Sequence, residues 1–236
     1  MTTPIVALDV PGRAQALAIV DELHGLCGFY KVGLQLYTAE GPGMVAALRE
    51  RGAEVFLDLK WHDIPNTVRG AAASAAALGV RLVTVHASGG LAMLRAAQEA
   101  AGAGCGVLAV TVLTSLDASA LAEAWGREAR GVELTAEVVR LAGLASEAGL
   151  HGVVCSGHEA AAVSARYAGL ATLVPGIRLA GSGVQDQARV MTPARAAAAG
   201  ARYIVVGRTV TADGDPRGAM ERVLAEVRAA GAAGGV

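Results

Sequence analysis

The sequence predicts an α/β fold, a (β/α)8 barrel of the TIM type, and three observations carry that prediction. Eight short runs rich in Val, Ile and Leu recur near 4–9, 28–32, 54–59, 81–86, 106–112, 151–155, 171–175 and 202–206, with helical stretches between them. Polar and charged residues gather where these runs end, while the bodies of the runs stay apolar. No Gly-x-Gly-x-x-Gly follows the first run, which weighs against the open doubly wound sheet, the main alternative. With 236 residues, 53% of them hydrophobic, the chain suits one barrel domain over 1–236 better than two small domains.

Taken in order, the first run ends in Asp9 and leads into a helix from Arg13 to Leu23. The second, Phe29-Tyr30-Lys31-Val32-Gly33, carries a lysine. The third follows the turn at Arg51-Gly52 and ends in Asp58-Leu59-Lys60, and Pro65 then suits the first turn of the next helix. Alanines at 71–77 and 194–199 read as helix filler. The fourth run ends in His86-Ala87-Ser88-Gly89-Gly90 and the fifth in Thr111-Val112-Leu113-Thr114-Ser115. The segment 115–149 is long enough for two helices, and Ala160 to Tyr167 for another. The seventh run enters Pro175-Gly176-Ile177-Arg178 and the eighth Val206-Gly207-Arg208. The tail from Ala229 to Val236 is expected to fray.

Composition narrows the function. A net charge of −1 without basic blocks argues against polymeric nucleic acid as a partner. No signal peptide is visible after Met1, and no apolar run reaches the ~18 residues of a membrane span. Cys27, Cys105 and Cys155 form no Cys-x-x-Cys pair, which suits buried thiols in a reducing, cytoplasmic setting. His62 and His86 lie near the rim without a ligand partner at metal spacing, while His24, His151 and His158 read as surface or turn residues, so no metal is expected.

The richest stretch is Asp58-Leu59-Lys60-Trp61-His62-Asp63-Ile64-Pro65-Asn66-Thr67. Alternation along a strand puts Asp58 and Lys60 on one face, and opposite charges at the inward end of an apolar strand are costly to desolvate. They mark a functional site, the plainer reading being a salt bridge at the rim. Asp63 adds a second carboxylate just past the strand. Barrel phosphate sites commonly lie after strands seven and eight, and here each of those loops supplies an arginine, Arg178 and Arg208, beside Gly176 and Gly207. Leu179 to Gln187, with its glycines and small residues, suits a lid over that phosphate.

Val6-Ala7-Leu8-Asp9, Tyr30-Lys31-Val32-Gly33, Asp58 to Thr67, His86 to Gly90, Leu113-Thr114-Ser115, Gly152 to Ser156, Pro175 to Arg178, Asp186-Gln187, Met191-Thr192-Pro193 and Val206-Gly207-Arg208 follow one another in a specific order. In that order the chain resembles the orotidine 5′-monophosphate decarboxylase family in its short, stand-alone bacterial form. One departure is Leu179, where the family usually has proline. The resemblance implies conversion of orotidine 5′-monophosphate to uridine 5′-monophosphate and carbon dioxide, the last step of de novo pyrimidine synthesis, without a cofactor. It implies a charged tetrad of Lys31, Asp58, Lys60 and Asp63, with Lys60 the proton donor and Asp63 contributed by the partner subunit of a homodimer. It further implies ribose contacts from Asp9, Lys31 and Thr67, pyrimidine contacts from Thr114 and Ser115, and phosphate or lid contacts from Arg178, Gln187, Gly207 and Arg208. Two alternatives are a Mg²⁺-dependent sugar-phosphate decarboxylase or synthase of the same superfamily, which the resemblance implies would carry an acidic residue at Lys31, and a non-catalytic nucleotide-binding barrel.

Overall fold

A computed structural model describes residues 1–180 and 191–233. Eight parallel strands close into a barrel in sequence order, with β8 hydrogen-bonded to β1. The elements run β1 (Thr3–Ala7), α1 (Arg13–Glu22), β2 (Phe29–Gly33), α2 (Leu34–Glu40), α3 (Pro42–Glu50), β3 (Glu54–Trp61), α4 (Pro65–Ala77), β4 (Leu82–His86) and α5 (Gly90–Ala101). They continue with β5 (Gly106–Val110), α6 (Ala118–Ala124), α7 (Leu134–Glu147), β6 (Gly152–Val154), α8 (Gly157–Arg166), β7 (Ala171–Val174), α9 (Pro193–Ala198), β8 (Tyr203–Val206), α10 (Arg208–Thr211) and α11 (Pro216–Ala233). The predicted barrel is the observed one, and 115–149 holds α6 and α7 with a 3₁₀ turn at Ala129–Gly131 between them.

Alternation along the strands divides the core in two. Ile5, Ala7, Phe29, Phe56, Leu82, Leu108, Leu173, Tyr203 and Val205 point into the barrel and pack on one another. Their neighbours Val6, Leu8, Tyr30, Val32, Val55, Leu57, Val83, Ile204 and Val206 point outward and pack under the helices. The same two-residue period carries on past the inner layer. Lys31 stands two residues beyond Phe29, Asp58 two beyond Phe56 and Asp9 two beyond Ala7, so the pattern that builds the core also aims three charges into the barrel mouth.

Three local features differ from the simple reading. β3 is longer than predicted, running through Lys60 to Trp61, and its pairing with β4 is irregular. Leu57 pairs with Val83 and Trp61 with Val85, so Asp58, Leu59 and Lys60 bulge opposite Thr84 alone. α11 continues to Ala233 instead of fraying from Ala229. Met220, Val223 and Val227 bury its inner face, and alanines extend the last turns. His151, read as a surface or turn residue, is half-buried at the opposite end of the barrel, its Nε2 3.0 Å from the Tyr203 hydroxyl.

Candidate active site

The charged cluster sits at the C-terminal ends of β1, β2 and β3. Lys31 Nζ donates to Asp9 Oδ1 at 2.8 Å and lies 3.7 Å from Asp58 Oδ2. Lys60 Nζ reaches both oxygens of Asp58, at 2.9 and 2.8 Å. Lys31 and Asp58 are each only 8% exposed, whereas Lys60 is half-buried and Asp9 is open to solvent. Buried charges survive only when paired and hydrogen-bonded, and here one carboxylate serves two ammonium groups. Gly33 makes room for the arrangement. A β-carbon there would come within 2.8 Å of Lys31 Nζ and 3.1 Å of Asp9 Oδ1.

The cluster stands where two cavities meet. A polar cavity of about 350 Å³ runs from Asp9, Lys31, Asp58 and Lys60 to Arg178, Gly207 and Arg208. An adjoining, mostly apolar one of about 160 Å³ is walled by Phe56, Val110, Val112, Leu113, Thr114 and Leu173. Lys31, Asp58, Lys60, Pro175 and Val205 border both. The geometry suits a ligand with an anionic end and a flat apolar end, held so that its middle touches the ammonium groups. At the anionic end, Arg178 and Arg208 come from the loops after β7 and β8, and Gly207 caps the short helix α10. Thr209 also lines this cavity, and its hydroxyl donates to the Ile177 carbonyl at 2.9 Å, tying the two loops together.

The other sequence-predicted residues fall differently. Asp63 is exposed and lies outside both cavity walls, and its Oδ1 accepts the Ile64 N–H at 2.6 Å. Among the described residues it makes no ion pair with Lys31 or Lys60. Thr67, in the first turn of α4, is also exposed and outside the walls, and beside it Ile64 is 66% exposed. Ser115 is exposed at the rim, while Thr114 reaches the apolar cavity. Gln187 lies outside the described residues, as does most of the predicted lid. Ile177 bridges Met191, and the Arg178 N–H donates to the Met191 carbonyl at 3.0 Å, so both ends of that segment are joined at the cavity edge. Leu179 is partly buried against the core.

Thr84 was not among the sequence candidates. It is fully buried, accepts the Lys60 N–H at 2.9 Å and donates to Asp58 Oδ1 at 2.9 Å. Its signal was present: it is a polar residue two positions beyond inward-facing Leu82, flanked by Val83 and Val85. The His62 and His86 rings lie 5.5 Å apart beside the cluster. Burial pushes His86 below the usual histidine value, and the charges of His62 and Lys60 add to this while Asp58 opposes it. Among the described residues no three His, Cys, Asp or Glu side chains are grouped so as to hold a metal ion.

Comparison with known proteins agrees with this geometry. Residues 2–223 match the orotidine 5′-phosphate decarboxylase / HUMPS family. The chain is 51% identical to the orotidine 5′-phosphate decarboxylase of Halorhodospira halophila, over 96% of each chain. It is 53% identical to the enzyme of that name from Anaeromyxobacter sp., over 93% of this chain and 95% of the relative. The solved orotidine 5′-phosphate decarboxylase from Lactobacillus acidophilus superposes with a TM-score of 0.84 at 34% identity, covering 96% of this chain and 99% of that one. The chain belongs to the orotidine 5′-phosphate decarboxylase / HUMPS family.

Proposed function

We infer that this protein decarboxylates orotidine 5′-monophosphate to uridine 5′-monophosphate, the last step of de novo pyrimidine synthesis. The observation that carries the reading is the position of Lys60, bound to both oxygens of Asp58 at the junction of a polar and an apolar cavity. With the phosphate at Arg178 and Arg208 and the pyrimidine against Val110, Val112 and Leu173, the reacting carbon of the base comes to the ammonium.

Loss of carbon dioxide from C6 leaves a carbanion in the ring plane, which the ring π system cannot delocalise. Stabilisation must then come from charge fixed nearby. The Lys60 ammonium supplies it and afterwards delivers a proton to C6. Lys31, joined to Asp9 and close to Asp58, orients the ribose side and shares the carboxylate's charge. Phosphate binding is remote from the breaking bond, so its energy can assemble the closed site and raise the rate.

Asp63 and Thr67 belong, in this reading, to the neighbouring subunit's site across a two-fold axis. Their exposure outside their own cavity supports it, as does the exposed Ile64 between them. The working unit is then a homodimer of single-barrel chains over 1–236. Its unpaired cysteines suit the cytoplasm. No helix among the described residues is long and apolar enough to cross a membrane. Burial raises the Cys105 thiol to about 11 and the Cys155 thiol to about 12, which keeps them inert. A Mg²⁺-dependent sugar-phosphate reaction has less support. A divalent ion at Asp58 would meet two ammonium groups already bound there.

The test is turnover. Mixing the purified protein with orotidine 5′-monophosphate should remove the orotate absorbance and release uridine 5′-monophosphate with one equivalent of carbon dioxide. Persistent substrate under these conditions contradicts the assignment.

A further inference from the structure

We propose that Thr84 is a positioning residue for Lys60, and that its hydroxyl holds the lysine in the one backbone conformation that aims the ammonium into the site. The inference rests on the decarboxylase reading and adds a residue to it. Lys60 has φ +50°, and among the described residues no other non-glycine has a positive φ. Such a conformation is costly for a long side chain and persists only where its surroundings impose it.

The source of that constraint is the β3 bulge. Between the Leu57–Val83 and Trp61–Val85 pairs, β3 advances four residues while β4 advances two, so three residues of β3 face one of β4. The Lys60 N–H loses its regular ladder partner there, and the Thr84 side chain takes it instead, at 2.9 Å. A backbone N–H can only donate, so Thr84 Oγ1 accepts this bond and its single proton is free to point elsewhere. It goes to Asp58 Oδ1, also at 2.9 Å.

One buried hydroxyl thus joins the backbone of Lys60 to the carboxylate that its ammonium binds. The residue closes a small loop from Lys60 N–H through Thr84 and Asp58 to Lys60 Nζ. Removing the hydroxyl leaves the Lys60 N–H without its side-chain partner and Asp58 short of a donor, and it frees the bulge to relax toward ordinary strand geometry. A side chain that only filled space would show none of these effects when replaced by an isostere.

The experiment compares Thr84→Val, which keeps shape and loses the hydroxyl, with Thr84→Ser, which keeps the hydroxyl and loses a methyl. Thr84→Val should lower kcat on orotidine 5′-monophosphate at least about tenfold, with KM changed less than about threefold, because phosphate and pyrimidine contacts remain. Thr84→Ser should keep kcat within about threefold of native. Native kcat in Thr84→Val overturns the proposal. So does a Thr84→Ser variant that loses as much kcat as Thr84→Val, since that result makes the methyl the important group. If Thr84→Val does not fold, Thr84→Ser decides alone: folded with kcat near native it supports the proposal, and folded with a tenfold loss it overturns it. A native protein inactive on the nucleotide breaks the underlying functional reading, whereas an active native protein with an equally active Thr84→Val variant breaks this inference only.

Discussion

The two ends of the same eight strands are built on opposite terms. At the N-terminal end the barrel is filled by Phe29, Leu82 and Tyr203, with Phe29 and Tyr203 ring to ring at 6.4 Å and His151 bonded to the tyrosine hydroxyl. Gly106 has no space for a side chain beside Leu82 and His151. At the C-terminal end the strands finish in Asp9, Lys31, Asp58 and Lys60, a bulge and a left-handed lysine. One end lowers the energy of the fold and the other spends some of it on holding charges in place. In barrels generally, loops at the C-terminal face carry chemistry while the opposite face serves stability. Mutations at the two ends should therefore separate activity from folding.

The sharpest break comes at Lys60. On the proposed reading Lys60→Ala removes the stabilising charge and the proton donor together, so turnover should fall by several orders of magnitude, about 4 kcal/mol or more in the barrier. Its melting temperature should stay close to native, since the half-buried lysine is not part of the apolar core. Retention of more than a tenth of native turnover would show that the proposed role is wrong.

Arg208→Ala should act next most strongly and only through the phosphate. Its kcat/KM should drop steeply for the nucleotide and barely change for the phosphate-free nucleoside, because the lost contact is absent there. Equal losses on both would make Arg208 a structural residue.

The shared-site claim has its own arithmetic. Lys60→Ala and Asp63→Asn homodimers should each be nearly inactive. After the two are unfolded together in equal amounts and refolded, about half of the dimers should be mixed, each with one site carrying native Lys60 and native Asp63. Activity should then return to about a quarter of the native level from random pairing. No recovery, with mixed dimers verified by mass, places Asp63 in its own chain's site.

At the other end the expected effects are on stability. Burial first, then the charges of Arg81 and Arg202, hold His151 below its usual value of 6.5. As pH falls, the unfolded chain takes up that proton before the folded one does. The stability linked to neutral His151 is therefore intact above about pH 6.5 and is lost as pH falls toward the lower folded value. His151→Gln should make the acid-side fall in melting temperature shallower, with His86 still contributing, and should leave kcat at neutral pH near native. An unchanged acid slope contradicts the account. Tyr203→Phe removes one hydrogen bond, about 1 kcal/mol, and should lower the melting temperature by about 2–4 °C.

The same contrast shows what the sequence makes legible. The inward positions follow a strict two-residue period, so Phe29 predicts Lys31 and Phe56 predicts Asp58, and both the barrel and most of the charged rim can be read directly. The paired arginines are equally legible because barrel phosphate loops recur in fixed places. The bulge is not. No glycine marks Asp58-Leu59-Lys60, and unbroken alternation hides the left-handed turn that only β3–β4 pairing reveals. The inward polar position of Thr84 is legible from the period through Leu82, but its role is not, since that exists only opposite the bulge. His151 looked like a turn residue because its burial comes from Tyr203, distant in sequence. Asp63 is legible as a carboxylate past the strand, but its exposure outside both cavity walls is not, because that depends on how the loop before α4 leaves the barrel mouth.

The most direct measurement of the central claim is turnover of orotidine 5′-monophosphate by exhaustively chelated protein, with and without added Mg²⁺. The charged end of the barrel should produce uridine 5′-monophosphate at the same rate in both, because Lys31 and Lys60 occupy the place a divalent ion would take at Asp58. A chelated protein that is inactive and regains activity with Mg²⁺ would contradict the account and move the chain to the sugar-phosphate branch.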